Sequence, residues 1–102
     1  MQEHLTIKLS KILHQKARLG IMSILVVASK AEFSYLKKQL KLTDGNLNTH
    51  LYTLEREKYI TIQKRFVKRK PKTIYRLTEK GQKAFSEYID SLEQIIQGVP
   101  KK

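Results

Sequence analysis

Cysteine is absent from this chain of 102 residues, and no apolar run is long enough to cross a bilayer. Without cysteine, neither a disulfide nor a thiolate metal site can form, which fits a reducing cytoplasm and also selection against labile residues. The first residues lack the basic and apolar regions of a secretory signal. Because 40% of the residues are apolar, the chain can build a core, and we expect a single cytoplasmic domain.

Arrangements of side chains that perform catalysis or bind metals are also missing. The histidines are scattered, with no His-x-x-x-His pair. The sequence shows no Ser-His-Asp spacing, no carboxylate pair and no glycine-rich phosphate loop. We therefore predict no catalytic residue, no metal ligand and no cofactor, and we expect that the protein is not an enzyme.

Acidic residues are scarce: the chain has 21 lysines and arginines but only 9 aspartates and glutamates, which gives a net charge of +12. Such a domain attracts anionic polymers over about a Debye length, roughly 8–10 Å at ordinary salt. Nucleic acid is the main candidate, and an anionic membrane surface is the second. Residues 79–97 carry four acids against two bases, so the positive charge is concentrated elsewhere.

The densest basic run lies between residues 63 and 73 and contains no acid. Its cations are Lys64, Arg65, Lys68, Arg69, Lys70 and Lys72. Short β-prone runs at 59–62 and 73–77 flank it, which predicts a β-hairpin with a basic tip, and Pro71 suits the loop of that hairpin. A merely solvated charged face is the alternative.

Apolar spacing predicts helices on both sides of the hairpin. The first covers residues 10–28 and is nearly apolar all round at its end, which indicates burial; Gly20 within it marks either close packing or a break. The second covers 33–41 with Ser34 as its cap, and the third begins at the cap Thr43. Because a tight connection joins the second and third helices, they form a helix-turn-helix. A last helix follows the cap Thr78, so the fold is mainly α with a small β-hairpin.

The third helix presents an outward face that suits DNA bases. If Leu47, Leu51 and Leu54 point inward, the opposite side carries Gly45, Asn46, Asn48, Thr49, Tyr52, Thr53 and Arg56. Residues 45–54 carry no charge. Asparagine can pair with adenine, a threonine methyl can touch thymine, and tyrosine can bind phosphate. A polar helix face without function is the alternative, and His50 lies at the buried edge, where it is expected to pack.

Two stretches resemble the winged helix-turn-helix regulators of the MarR/ArsR-like group. Residues 42–55, followed by Tyr59-Ile60, are similar to that group's recognition helix, and residues 70–81 to its wing and return strand. The resemblance spans roughly 19–88. It implies a homodimeric, nucleoid-associated transcriptional regulator that binds double-stranded DNA, with the third helix in the major groove and the wing on the backbone or minor groove. Metal sensing is not implied, because its cysteines or clustered histidines are absent, and a small-molecule effector stays undecided.

The resemblance also implies roles for individual residues. Asn46, Asn48, Thr49 and Tyr52 would face bases or phosphates. The wing contacts would be Arg65, Lys68, Arg69, Lys70 and Lys72.

The last helix has an apolar stripe that is longer than one small core needs. We therefore predict that this helix (79–97) serves dimerisation. The whole chain is then a single domain over 1–102 that begins with an N-terminal arm or helix (1–15), followed by a helix-turn-helix (33–57) and a wing (59–77). The predicted dimer contacts are Leu5, Ile7, Leu9, Leu13, Leu92, Ile95 and Ile96. Docking of both termini on their own domain is the alternative.

Two other functional classes remain open from the sequence. The high charge on so small a chain also suits an architectural chromatin protein with weak sequence preference. A protein-interaction or RNA-binding winged helix, including a ribosomal one, is the other alternative. The uncharged residues 45–54 argue against a purely electrostatic grip on RNA.

Overall fold

The computed structural model describes residues 9–99, which form four helices and three strands. The helices are α1 (Lys16–Ala28), α2 (Phe33–Leu40), α3 (Asp44–Arg56) and α4 (Glu79–Gln97). The strands are β1 (Lys30–Glu32), β2 (Ile60–Val67) and β3 (Lys70–Leu77). This is the predicted fold, a winged helix-turn-helix that is mainly α with a β-hairpin and a long C-terminal helix.

A third strand adds to the hairpin that the sequence predicted. The antiparallel sheet has the order β1-β3-β2, and Lys30 of β1 lies opposite Arg76 while Glu32 lies opposite Ile74. The sequence predicted the hairpin strands β2 and β3 but missed β1. Since β1 is so short, its extended conformation depends on pairing with a distant part of the chain.

The ends of α1 and α2 differ from the predicted ones. α1 begins at Lys16 rather than near Ser10, because Gln15 caps it by accepting a hydrogen bond from the Arg18 backbone N–H at 2.8 Å. α2 follows directly from β1, so Glu32 occupies its N-cap without a side-chain bond, and the predicted Ser34 cap is wrong.

Gly20 marks close helix packing rather than a break. It lies inside α1, and a Cβ atom there would stand 2.7 Å from Cδ2 of Leu40 on α2. The helix therefore continues through it, and the missing side chain lets α1 and α2 approach each other.

The core lies between α1, the helix-turn-helix and the sheet. Its most buried side chains include Leu13, Ile21, Met22, Leu25, Leu36, Leu47, Leu51, Leu54, Ile60, Tyr75 and Tyr88. The end of α1 leaves this core, since Val27 is 88% exposed. The expected burial of that end is wrong because only one face of α1 contacts the rest of the domain.

A two-residue turn joins β2 to β3. Lys68 and Arg69 form it with φ angles of 53° and 65°, the left-handed conformations that tight hairpins require. Pro71 therefore lies inside β3, opposite Phe66, and not in the loop. The sheet tolerates this proline because β1 pairs only as far as Ile74, which leaves one side of β3 without a strand at Pro71.

Thr78 ties the sheet and α3 to the start of α4. Its side chain accepts a hydrogen bond from the Gly81 N–H at 2.9 Å, which confirms the predicted cap. The same hydroxyl donates to the Lys58 carbonyl at 2.7 Å. Between residues 9 and 99, no helix is long and apolar enough to cross a membrane.

Candidate nucleic-acid interface

The turn between α2 and α3 is fixed by a cap and an ion pair. Thr43 accepts a hydrogen bond from the Asn46 backbone N–H at 3.1 Å, as the sequence predicted. Lys37 Nζ of α2 lies 2.8 Å from Asp44 Oδ1 of α3. Because both side chains are largely exposed, this pair contributes at most about 1 kcal/mol, but it keeps the start of α3 from presenting an unpaired carboxylate.

α3 buries one face and exposes the other, in the predicted way. The leucines at 47, 51 and 54 are buried. The opposite side exposes Gly45, Asn46, Asn48, Thr49, Tyr52 and Arg56, while Thr53 is half-buried. The residues of α3 that were predicted to face DNA thus lie together on the accessible side of that helix.

The hydroxyls of the two threonines in α3 donate hydrogen bonds to the helix backbone. Thr49 Oγ1 donates to the Gly45 carbonyl at 2.9 Å, and Thr53 Oγ1 donates to the Thr49 carbonyl at 3.1 Å. With the donor bound to the helix backbone, a threonine offers mainly its methyl group, which suits contact with a thymine methyl.

Arg56 packs against the same exposed face. Its guanidinium carbon lies 5.9 Å from the centre of the Tyr52 ring, a distance at which a cation is attracted to an aromatic face. The interaction places a cation at the end of α3 while residues 45–54 stay uncharged.

The basic side chains predicted to form the wing contacts are exposed, except for that of Lys72. Those at 64, 65, 68, 69 and 70 are open to solvent. Lys72 is half-buried, and its Nζ lies 3.5 Å from Glu32 Oε2 of β1. Lys72 thus also holds the hairpin to β1, a role that the sequence did not reveal.

A cleft of about 530 Å³ separates α3 from the sheet. Asn48 and Tyr52 line one wall and Lys64 the other, so the structure brings together the two sets of predicted DNA contacts. Tyr75 lines the cleft from the core side. Burial, with a smaller effect of the Glu55 charge, raises the pKa of Tyr75 above its ordinary value.

His50 joins α3 to α1 and does not face outward. Its Nδ1 lies 3.2 Å from Nη1 of Arg18, whose Nε donates to the Ile12 carbonyl at 2.6 Å. A guanidinium can only donate, so Nδ1 accepts and the ring proton sits on Nε2. Burial, and secondarily the Arg18 charge, lowers the pKa of His50 below its usual 6.5.

The lowered pKa of His50 predicts a loss of stability in mild acid. The unfolded chain takes up a proton near pH 6.5, whereas the folded chain does so only at lower pH, so stability falls as the pH drops below 6.5. Asparagine at position 50 can accept the Arg18 hydrogen bond but does not titrate. Urea unfolding at about pH 7.5 and about pH 5.5 should therefore show a smaller pH effect in His50→Asn than in the native chain. Equal pH effects in both proteins would contradict the prediction.

The predicted dimer residues occupy different environments. Leu13 is fully buried in the core of its own chain, and Leu9 and Leu92 pack against that core. Leu13 is therefore unavailable to a partner, which corrects the prediction for this residue. Ile95 is half-buried and Ile96 is 62% exposed, whereas Leu5 and Ile7 lie outside the described residues.

Further apolar side chains on α4 and after it are exposed. Ile89 is 39% exposed and Val99 is 58% exposed, and neither was among the predicted contacts. The spacing of Ile89 from Ile96 could have revealed Ile89, because positions seven apart recur on one side of a helix, whereas Val99 lies beyond the end of α4. Over the same described stretch, no three histidine, aspartate or glutamate side chains come together to hold a metal ion.

This site and fold match a known family. The family described as "Winged helix DNA-binding domain" matches residues 17–96, and the chain belongs to it. The predicted likeness to winged helix-turn-helix DNA-binding proteins is thereby confirmed.

Individual relatives agree with this assignment. An uncharacterized protein of Methanocaldococcus jannaschii is 38% identical over 89 residues, which cover 87% of this chain and 97% of the relative. The transcriptional regulator homologue protein from Pyrococcus horikoshii OT3 is 38% identical, with a TM-score of 0.84 and 90% of each chain covered. The PcaV transcriptional regulator from Streptomyces coelicolor shares the fold at 13% identity, with a TM-score of 0.71 over 90% of this chain and 64% of its own. The protein is therefore a DNA-binding transcription regulator.

Proposed function

We propose that the protein binds a preferred sequence of double-stranded DNA as a homodimer. In each subunit, α3 enters the major groove and the β2–β3 hairpin contacts the backbone or minor groove. The observation that carries this proposal is the exposed face of α3, uncharged from residue 45 to residue 54, beside an exposed basic hairpin, with the cleft between them. The first surface offers base contacts and the second offers phosphate contacts.

The side chains of α3 and of the hairpin suit different contacts with DNA. Asn48 and the Thr49 methyl on the exposed face of α3 can distinguish bases in the major groove. The hairpin cations bind phosphates whatever the sequence, and they supply most of the salt-dependent affinity. Lys64, on one wall of the cleft between α3 and the hairpin, can contact a phosphate there.

The exposed apolar side chains of α4 support the homodimer. Phe85 and Tyr88 near its start pack on their own domain, as does Leu92. Ile96 and Val99 remain largely exposed on the last turns and just beyond. A second copy of α4 would remove this surface from water, and a two-fold dimer would place its reading helices roughly 34 Å apart, one turn of DNA.

Selection of bound duplexes from a random pool tests the proposal directly. A regulator of this kind should enrich a two-fold symmetric sequence whose half-sites lie one helical turn apart. A pool that shows no enrichment after repeated rounds would contradict sequence-selective binding. Sedimentation at low micromolar concentration provides the second test, in which a species of monomer mass would contradict the dimer.

Asn48→Ala and Arg69→Ala should weaken binding in different ways. The Asn48 change should cost about 1–3 kcal/mol on the selected duplex and little on unrelated duplexes, because it removes base recognition. The Arg69 change should weaken binding to all duplexes. It should also make the slope of log K against log salt concentration less negative; in the native dimer this slope should be roughly −5 to −9. Titrations with both duplexes at several salt concentrations measure both effects. Equal weakening of every duplex by Asn48→Ala would show that this residue does not read bases.

An architectural DNA-binding protein is the second candidate, and the net charge of +12 favours it. Such a protein would grip phosphates and show little preference among duplexes. Competition with an excess of bulk DNA separates the two functions, since only a regulator would remain on its selected duplex. A parallel shift assay with RNA hairpins tests the RNA-binding alternative.

A further inference from the structure

Phe66, near the tip of the hairpin, is 80% exposed to solvent. It lies at the end of β2, and the basic residues Lys64, Arg65 and Lys68 surround it in sequence. A large apolar ring on a strongly cationic projection gains nothing from water. The exposed ring therefore points to a partner that is both anionic and able to take up an apolar side chain.

The register of the hairpin shows which way this ring faces. Residues on a strand alternate between faces, and directly paired residues share a face. Ile62 pairs with Tyr75, Lys64 with Thr73, and Phe66 with Pro71. The first two pairs line the cleft beside α3. Phe66 therefore lies on the cleft side of the hairpin, about 7 Å beyond Lys64.

The hairpin holds this ring on a rigid support. The two-residue turn at Lys68 and Arg69 closes the strands without a flexible loop, and the ring lies opposite Pro71, whose own ring fixes its backbone angle. The side chain is thus held away from the core, on the same side as the proposed DNA-reading face.

Duplex DNA is the partner that fits these features. With α3 in the major groove, the strand that crosses the cleft leads to the neighbouring minor groove at the hairpin tip. Proteins that contact the minor groove often insert an apolar side chain such as phenylalanine between base pairs, which partly unstacks them and bends the duplex. The surrounding cations complement the two phosphate backbones that border this groove.

We propose that Phe66 is a wedge that inserts into the minor groove and bends the bound DNA. This inference rests on the proposed function, because it requires α3 to occupy the adjacent major groove. It assigns to the hairpin a recognition role beyond phosphate contact. Since pyrimidine–purine steps unstack most easily, the wedge selects a flexible step such as TA at a position that no polar side chain reads.

The bend can be measured with the selected duplex. Donor and acceptor dyes on its two ends report the end-to-end distance, and 2-aminopurine placed at successive positions reports unstacking. The native protein should shorten the distance, consistent with a bend of roughly 20–90°. It should also raise 2-aminopurine emission several-fold at one step per half-site, and replacing that step by a stiff A-tract should weaken binding.

Variants of the hairpin separate the wedge from general binding. Phe66→Ala should lose the bend, the 2-aminopurine signal and the preference for the flexible step, but keep the salt dependence. Phe66→Trp should retain the bend. Val67→Ala is the matched control, because Val67 is also apolar and 42% exposed, and strand alternation places it on the opposite face of the hairpin from Phe66. Thermal melting should be close to that of the native chain for all three.

The possible outcomes distinguish failure of the wedge from failure of the proposed DNA-binding function. A native protein that enriches a preferred duplex but bends it no more than Phe66→Ala does would overturn the wedge alone. Failure to bind any duplex would overturn the wedge together with the proposed function. Binding to vesicles that contain phosphatidylserine is the last test. If Phe66 is needed for binding to these vesicles and DNA is not bent, the ring contacts a membrane surface and the wedge is overturned.

Discussion

Ile96→Asp is expected to convert the proposed DNA-binding dimer into a monomer with greatly weakened affinity for DNA. Ile96 is 62% exposed on α4 in a single chain, and the proposed dimer covers it with a second copy of the helix. A carboxylate at this position would lose its hydration without gaining a partner, which strongly disfavours association. Sedimentation should show the monomer mass at concentrations at which the native chain is dimeric.

Loss of the dimer should affect DNA binding in two measurable ways. A monomer contacts only one half-site, so the salt slope should fall to about half of its native value. The linkage of two half-sites typically raises affinity by about 10²–10⁴-fold, and the variant should lose an amount in that range on the selected duplex. Affinity for a single half-site should change little.

Gln94→Asp is the matched control for the dimer experiment. Gln94 is exposed on the same helix, and its replacement introduces the same charge at nearly the same distance from the helix end. Gln94 points away from the apolar stripe, so the variant should remain a dimer with native salt dependence. If both variants dissociate, charge on α4 rather than burial of Ile96 governs assembly; if neither does, the interface lies elsewhere.

Gly81→Ala is expected to destabilise the fold by about 2–3 kcal/mol. An added Cβ would lie inside van der Waals contact of the Tyr59 carbonyl oxygen and 2.9 Å from the Tyr59 carbonyl carbon. Both groups are backbone, so neither can turn aside as a side chain could. Relief requires a shift of α4 against the segment that follows α3, where Thr78 and Tyr59 hold the two helices together. Urea unfolding measures the loss.

Gly45→Ala provides a control with the opposite expected sign. Gly45 also lies in the first turn of a helix, but nothing stands within 4 Å of a Cβ added there. Alanine should therefore stabilise α3 by up to about 1 kcal/mol. A Gly81→Ala protein as stable as the native chain would show that the start of α4 does not rest on the Tyr59 backbone.

Local signals in the sequence predicted α3 and the threonine caps of α3 and α4. The buried leucines of α3 follow helical spacing, and Thr43 and Thr78 each stand where a cap is needed. Each of these features depends on residues within one or two turns, so pattern and chemistry agree without knowledge of the fold. The exposed polar face of α3 follows from the same periodicity.

Features that depend on distant partners could not be predicted in this way. β1 exists because β3 pairs with it, and Leu13 is buried because the fold brings the chain before α1 onto the core. The cleft requires α3 and the hairpin to stand side by side. Phe66 carried no signal in the basic run, because only the hairpin register shows that its ring is exposed on the cleft side.

At the turn formed by Lys68 and Arg69, backbone stability and positive charge favour different residues. Both residues adopt positive φ angles, a conformation that costs roughly 1–3 kcal/mol for an ordinary side chain and that Asn-Gly adopts easily. Two cations at these positions therefore lower the stability of the hairpin but raise the positive potential at its tip. In a related chain, Asn-Gly at these positions would mark a hairpin that only completes the sheet, whereas two cations would mark one that grips a polyanion.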